Sequence, residues 1–201
     1  MYLNNKCLVN SAVECLLYTE KVGGSNPSSS TNLNTMHIHH HLKEKIDPLV
    51  VKQFIDEHPN SKVYIGCDSD RVLIKDEWYA DYASVVVVHL GGRHGCKVFG
   101  HVERERDYEK TKARPRMRLM NEVYKVSQLY LDIAQVMEED FDCEIHLDIN
   151  PSENHGSSCV INEAIGYVRA LTNVVPMVKP NGFAATHCAD RLKALKISNC
   201  P

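Results

Sequence analysis

No apolar run in this chain approaches the roughly 20 residues that a helix needs to cross a bilayer; even Ala83–Val88 falls far short. The first residues also lack the basic region, apolar stretch and small-residue cleavage site of a signal peptide. Both absences lead to the expectation of a cytoplasmic protein that engages no membrane. An excess of positive charge is missing too: 23 Lys and Arg stand against 26 Asp and Glu, a formal charge of -3. Affinity for nucleic acid would therefore need a local patch or a bound cation rather than bulk charge. There are eight cysteines but no Cys-x-x-Cys pair. The set His146, His155, Cys159, His187 and Cys188 matches no structural zinc spacing. Cys67 and Cys143 fall inside predicted strands, so the cysteines read as small buried hydrophobes of a reducing compartment. The one tryptophan, Trp78, reads as hairpin or core packing rather than a base-stacking platform. There is no internal repeat.

Hydrophobic residues make up 43% of the 201 positions, enough for one domain with a sizeable core. Residues 1–35 are set apart. They have no amphipathic period and run into the Ser/Gly/Asn-rich stretch Gly23–Asn32, which reads as a disordered tail. Gly-Ser-Asn-Pro is also what one frame of the T-arm of a transfer-RNA gene encodes, so the expectation is a spurious upstream translation with the natural start at Met36. The domain is then 36–201. His37 and His39–His41 beside that start carry no function beyond adventitious metal affinity.

Two segments hold most of the chemical information, Tyr64–Asp70 and Glu144–Asn150. Each reads as a β-strand ending in acidic or amide groups. Alternate residues of a strand share a face, so Asp68 pairs with Asp70 on one side, and Asp148 with Asn150. Two apolar strands ending this way can set carboxylates side by side at one sheet edge. Such a cluster repels itself unless a cation intervenes, and an all-oxygen set suits Mg²⁺ or Mn²⁺. Metal-assisted chemistry on phosphate follows as the expected activity.

Around these segments, Ile46–His58 reads as a helix with Asp47 as N-cap and Pro48 in its first turn. A Val- and Tyr-rich strand lies within Arg71–Leu90. Gly91–Gly95 is a turn, and Cys96–Glu105 the returning strand. Arg106–Arg118 is a charged, solvated connection that could also offer Lys and Arg to phosphates. A long helix is predicted over Pro115–Glu139, with Leu119, Val123, Val126, Tyr130, Ile133 and Met137 at helical spacing and Glu122 at the margin of that stripe. After Glu144–Asn150 come a helix capped by Ser157 or Ser158 and running to Leu171, a short strand in Asn173–Pro180, and a last helix over Ala185–Lys196. Asp190 lies off the apolar side of that last helix.

That order, with Gly66–Arg71, Asn121–Lys125, His146–Pro151, Ile161–Leu171 and Val178–Arg191, resembles the ribonuclease-H-like superfamily, and within it the YkuK-like branch of small bacterial and phage proteins. The resemblance spans about Lys43 to Lys196. It implies an α/β fold: a mixed five-stranded sheet, three antiparallel strands followed by alternating helix and strand, flanked by helices. It further implies a nuclease hydrolysing phosphodiester bonds with two metal ions. Asp68, Glu122, Asp148 and Asp190 would be the metal-holding carboxylates. Asp70 and His187 lie close by as second-tier candidates, Asp70 as a ligand and His187 among the catalytic groups; His187 or His155 could shuttle a proton, since an imidazole titrates near neutrality. Lys179 and Arg71 are candidates for substrate phosphate. The implied cofactor is Mg²⁺ or Mn²⁺ and the implied partner is DNA, RNA or a hybrid, with a homodimer as one way to pool basic residues of Arg104–Arg118. A non-catalytic binding module on the same fold is the alternative.

Overall fold

The computed structural model describes residues 12–13, 44–92, 95–109, 115–137, 142–182 and 184–197. Apart from Ala12–Val13, the expected tail lies outside them, as do the His37/His39–His41 cluster and residues 110–114 of the charged connection. Helix α1 (Pro48–Asp56) begins as the sequence predicts: Asp47 accepts from the Leu49 N–H at 2.9 Å, and Pro48 occupies the first turn. Three long antiparallel strands follow, β1 (Lys62–Ile74), β2 (Glu77–His89) and β3 (Cys96–Arg106). Lys75 and Asp76 close the β1–β2 hairpin with φ of 49° and 64°, a two-residue turn with positive φ at both positions, which matches strand twist. No Asn-Gly signal marks it. Hence β1 extends past the predicted strand end at Asp70, and Asp68 sits in its middle.

Helix α2 (Arg116–Ala134) leads to β4 (Cys143–Leu147), which pairs parallel to β1. The sheet is thus mixed, with the four strands ordered β3-β2-β1-β4. Ala12–Val13 pairs antiparallel with Phe99 and Val98 along the outer edge of β3. The expected fifth strand in Asn173–Pro180 reduces to a single bridge, His146 to Met177, supported by Met177 N–H to Ile145 O at 2.7 Å and Leu147 N–H to Met177 O at 2.8 Å. Pro176 and Pro180 flank this stretch and cannot donate to a ladder. Helix α3 (Ile161–Thr172) follows a 3₁₀ turn, Gly156–Val160, and has no side-chain cap. Ser157 instead accepts from the Asn150 N–H at 3.0 Å and ties down the loop after β4. A π-helical turn, Ala184–Ala189, runs into α4 (Asp190–Ile197).

Both faces of the sheet are covered. Val63, Ile65, Cys67, Val86 and Val88 pack under α1, α2 and α3 with Val51, Val123, Val126 and Val168. Tyr64, Ala83, Val85, Val87, Val98 and Val102 pack on the opposite face against Ala189 and Leu192 of the C-terminal segment. Burial on both sides explains the unbroken Val85–Val88 run of the central strand β2. No described helix is long and apolar enough to cross a membrane.

Candidate metal centre

The parallel ladder between β1 and β4 ends with Cys67 opposite Leu147. One step further, Asp68 stands beside Asp148, where β4 stops and β1 continues with only β2 as a neighbour. A strand that outruns its partner thus creates a sheet edge in mid-strand. Asp68 and Asp70 point to the face carrying the C-terminal helix; Ser69 points to the face carrying α2.

On the first of these faces the site is organised by a residue that sequence reading missed. Lys193 Nζ lies 2.5 Å from Asp68 Oδ2, 3.0 Å from Asp190 Oδ1 and 3.1 Å from Asp70 Oδ1. The Lys193 side chain is only 4% exposed. Its spacing from Asp190, three residues on in one helix, is the only trace in the sequence. Its neighbour Leu192 packs against Gly100, where an added Cβ would lie 2.5 Å from Leu192 Cδ2. On the second face, Ser69 Oγ donates to Glu122 Oε1 at 2.5 Å, and Arg118 Nη1 donates to the Ser69 carbonyl and hydroxyl oxygens at 2.6 Å. Arg118 Nη1 also lies 3.5 Å from Glu122 Oε1. Asp148 is paired with Lys179 at 2.7 Å.

The five predicted carboxylates therefore form two groups across the sheet edge rather than one cage. Asp68, Asp70 and Asp190 surround Lys193. Glu122 is buried under Ser69 and Arg118, and Asp148 lies beside Asp68 at the end of β4. Among the described residues no group of three or more His, Cys, Asp or Glu is placed so that it could hold a metal ion. The electrostatics nevertheless couple the groups. Burial raises the Asp68 carboxyl to about 7 against the pull of Lys193, and Asp148 and a hydrogen bond with Asp190 add to the rise. Burial also raises Glu122 well above the usual carboxylate range; the Asp68 charge reinforces this, while Ser69 and Arg118 oppose it. Partial burial works against ionisation of Asp190, but its bonds from Asp68 and Lys193 prevail and hold it below its ordinary value. For Lys193, burial favours the neutral amine, yet Asp68, Asp190 and Asp70 keep it protonated far above neutrality. Carboxylates raised by burial and mutual repulsion are those a divalent cation would relieve, and the donor set is all oxygen.

Other predicted site residues have different surroundings. His187 is exposed on the π-helical turn, with no hydrogen bond or ion pair to the carboxylates among the described residues. Arg71 Nε pairs with Asp107 at 2.6 Å, Nη2 donates to Glu109 O, and its guanidinium lies 4.3 Å from the Trp78 ring centroid. Arg71 and the only tryptophan thus brace the hairpin. Much of the basic stretch is likewise engaged within the chain: Arg104 grips Asp81 through Nε at 2.5 Å and Nη2 at 2.6 Å, Arg106 pairs with Glu77, and Arg116 with Glu163. His146 is fully buried, 5.2 Å from the Tyr64 ring. Burial lowers its pKa, as suits a packed neutral imidazole.

The Ribonuclease H-like family model matches residues 49–194, most of the chain, and the chain belongs to that family. No curated protein and no solved structure matches it.

Proposed function

We propose that this member of the Ribonuclease H-like family is a divalent-metal-dependent nuclease that hydrolyses phosphodiester bonds. One observation carries this reading: the β1 overhang brings Asp68 beside Asp148, with Glu122 and Asp190 delivered to the same edge from opposite faces. Asp68, Asp148 and Glu122 would hold Mg²⁺ or Mn²⁺. Bound there, the cation would stabilise charge on the phosphoryl oxygens and make water a stronger nucleophile at neutral pH. Lys179, 36% exposed, can leave Asp148 for a substrate phosphate oxygen without vacating a buried site. Ser69 and Arg118 fix the orientation of Glu122. The finer placement in the YkuK-like branch rests on the motifs Gly66–Arg71 and His146–Pro151.

The test is incubation of the full chain with single-stranded and duplex DNA, RNA and hybrid oligonucleotides, in Mg²⁺, Mn²⁺ or chelator. Metal-dependent cleavage by the wild type, lost in Asp148→Asn with an unchanged circular-dichroism spectrum, is expected. Cleavage that survives in the variant, or none on any substrate, overturns the assignment. The seated Lys193 favours one second reading: a nucleic-acid-binding module that keeps the fold and closes its acidic edge with an internal cation. Binding of the same oligonucleotides without cleavage is its signature.

A further inference from the structure

We propose that Lys193 is a resident cation of this edge, supplying the positive charge that a second metal ion would otherwise bring, so that the site accepts one divalent ion. This rests on the metal-dependent reading above and specifies it. Three observations carry it.

The first is saturation. An ammonium group has three donors, and Lys193 Nζ has three carboxylate partners within 3.1 Å, on Asp68, Asp70 and Asp190. The second is charge. Asp68, Asp70, Glu122, Asp148 and Asp190 face Lys193, Lys179 and Arg118. Among the described residues, once Lys179 has swung away, five carboxylates against Lys193 and Arg118 leave three negative charges when all are ionised; one divalent ion leaves one of them and two would overshoot, whereas without Lys193 the four remaining charges match two ions. The third is mobility. Lys179 is half-exposed and can swing into water, whereas Lys193 is 4% exposed and anchored on a helix whose Leu192 is buried against Gly100. Displacing Lys193 requires moving α4; displacing Lys179 requires one rotamer change. The ion therefore enters on the Asp148 side, and the Asp190 side keeps its lysine.

Manganese alone is the probe. The full chain is titrated with Mn²⁺, and free ion is counted by electron paramagnetic resonance beside Lys193→Met and Lys193→Arg. One Mn²⁺ per chain is expected for the wild type and for Lys193→Arg, and two for Lys193→Met, whose apolar side chain retains the packing of the stem. Two ions in the wild type overturn the inference while leaving the metal-dependent reading intact. One ion in a folded Lys193→Met overturns it as well. No ion in any of the three removes both. Should Lys193→Met fail to fold, the wild-type count alone still decides between one ion and two.

Discussion

Replacing Lys193 by Met in metal-free protein removes the positive charge shared by three carboxylates while keeping an unbranched side chain of similar reach. Breaking a buried ion pair by deleting one partner costs about 3–5 kcal/mol, because the remaining charge is left uncompensated. Lys193 is 4% exposed and Asp68 12%, so solvent does little to screen the loss. For a chain of this size each kcal/mol moves Tm by about 2–4 °C, so the variant should melt roughly 6–20 °C lower at about pH 8. The loss depends on pH. The folded Asp68 carboxyl titrates at about 7 against an ordinary 3.8. A raised carboxyl contributes stability that is fully present below the ordinary value and is lost as pH rises through the folded one. At about pH 5.5 a proton on Asp68 already does part of the work of the ammonium, and what Met forfeits is closer to charge-assisted hydrogen bonds, about 1.5–3 kcal/mol. The gap between wild type and variant should therefore narrow by about 2 kcal/mol, or roughly 4–8 °C, between the two pH values. Calorimetry or circular-dichroism melting in chelator reads both. An equal deficit at both pH values would mean that Lys193 acts through packing, and no deficit would mean that the buried Lys193–Asp68 pair is not formed.

Gly100→Ala places a Cβ against Leu192 and should cost about 1–3 kcal/mol, read by denaturant unfolding; an unchanged midpoint would show that α4 has room to withdraw. Cys67 and Cys143 are buried and their thiols pushed up by burial, so neither should take up iodoacetamide in the folded protein at about pH 8.5, where a free thiol is half ionised, while both react in guanidinium; peptide mass spectrometry resolves the two. Asp47→Ala removes the cap of α1 and should cost about 1 kcal/mol in chemical denaturation, with Asp47→Ser recovering most of it.

The sequence carried the strands and helices well because both periods were clean: α1 began at its capping Asp47, and the apolar stripe of α2 faced the sheet. It misled where tertiary packing overrides local signal. Lys75-Asp76 is a turn with no Gly or Asn, so β1 read as ending at its acidic residues when it continues to Ile74. The same extension matters for the site. Had β1 stopped at Asp70, Asp68 and Asp148 would both be strand ends open to water. Instead Asp68 is flanked by β2 for the rest of the strand, with α4 across its face, and that enclosure raises its carboxyl. A carboxylate so enclosed requires a positive charge from somewhere. In a strand-end picture only solvent or a metal ion could supply it; with α4 packed close, Leu192 against Gly100, a lysine one helical turn from Asp190 can. Nothing local in the Asp190–Lys193 spacing separates this buried partner from the many lysines that lie three residues from an acid on a solvated helix. The difference lies in long-range packing, such as Leu192 against Gly100 on a strand some ninety residues earlier, a contact that no single-segment pattern contains.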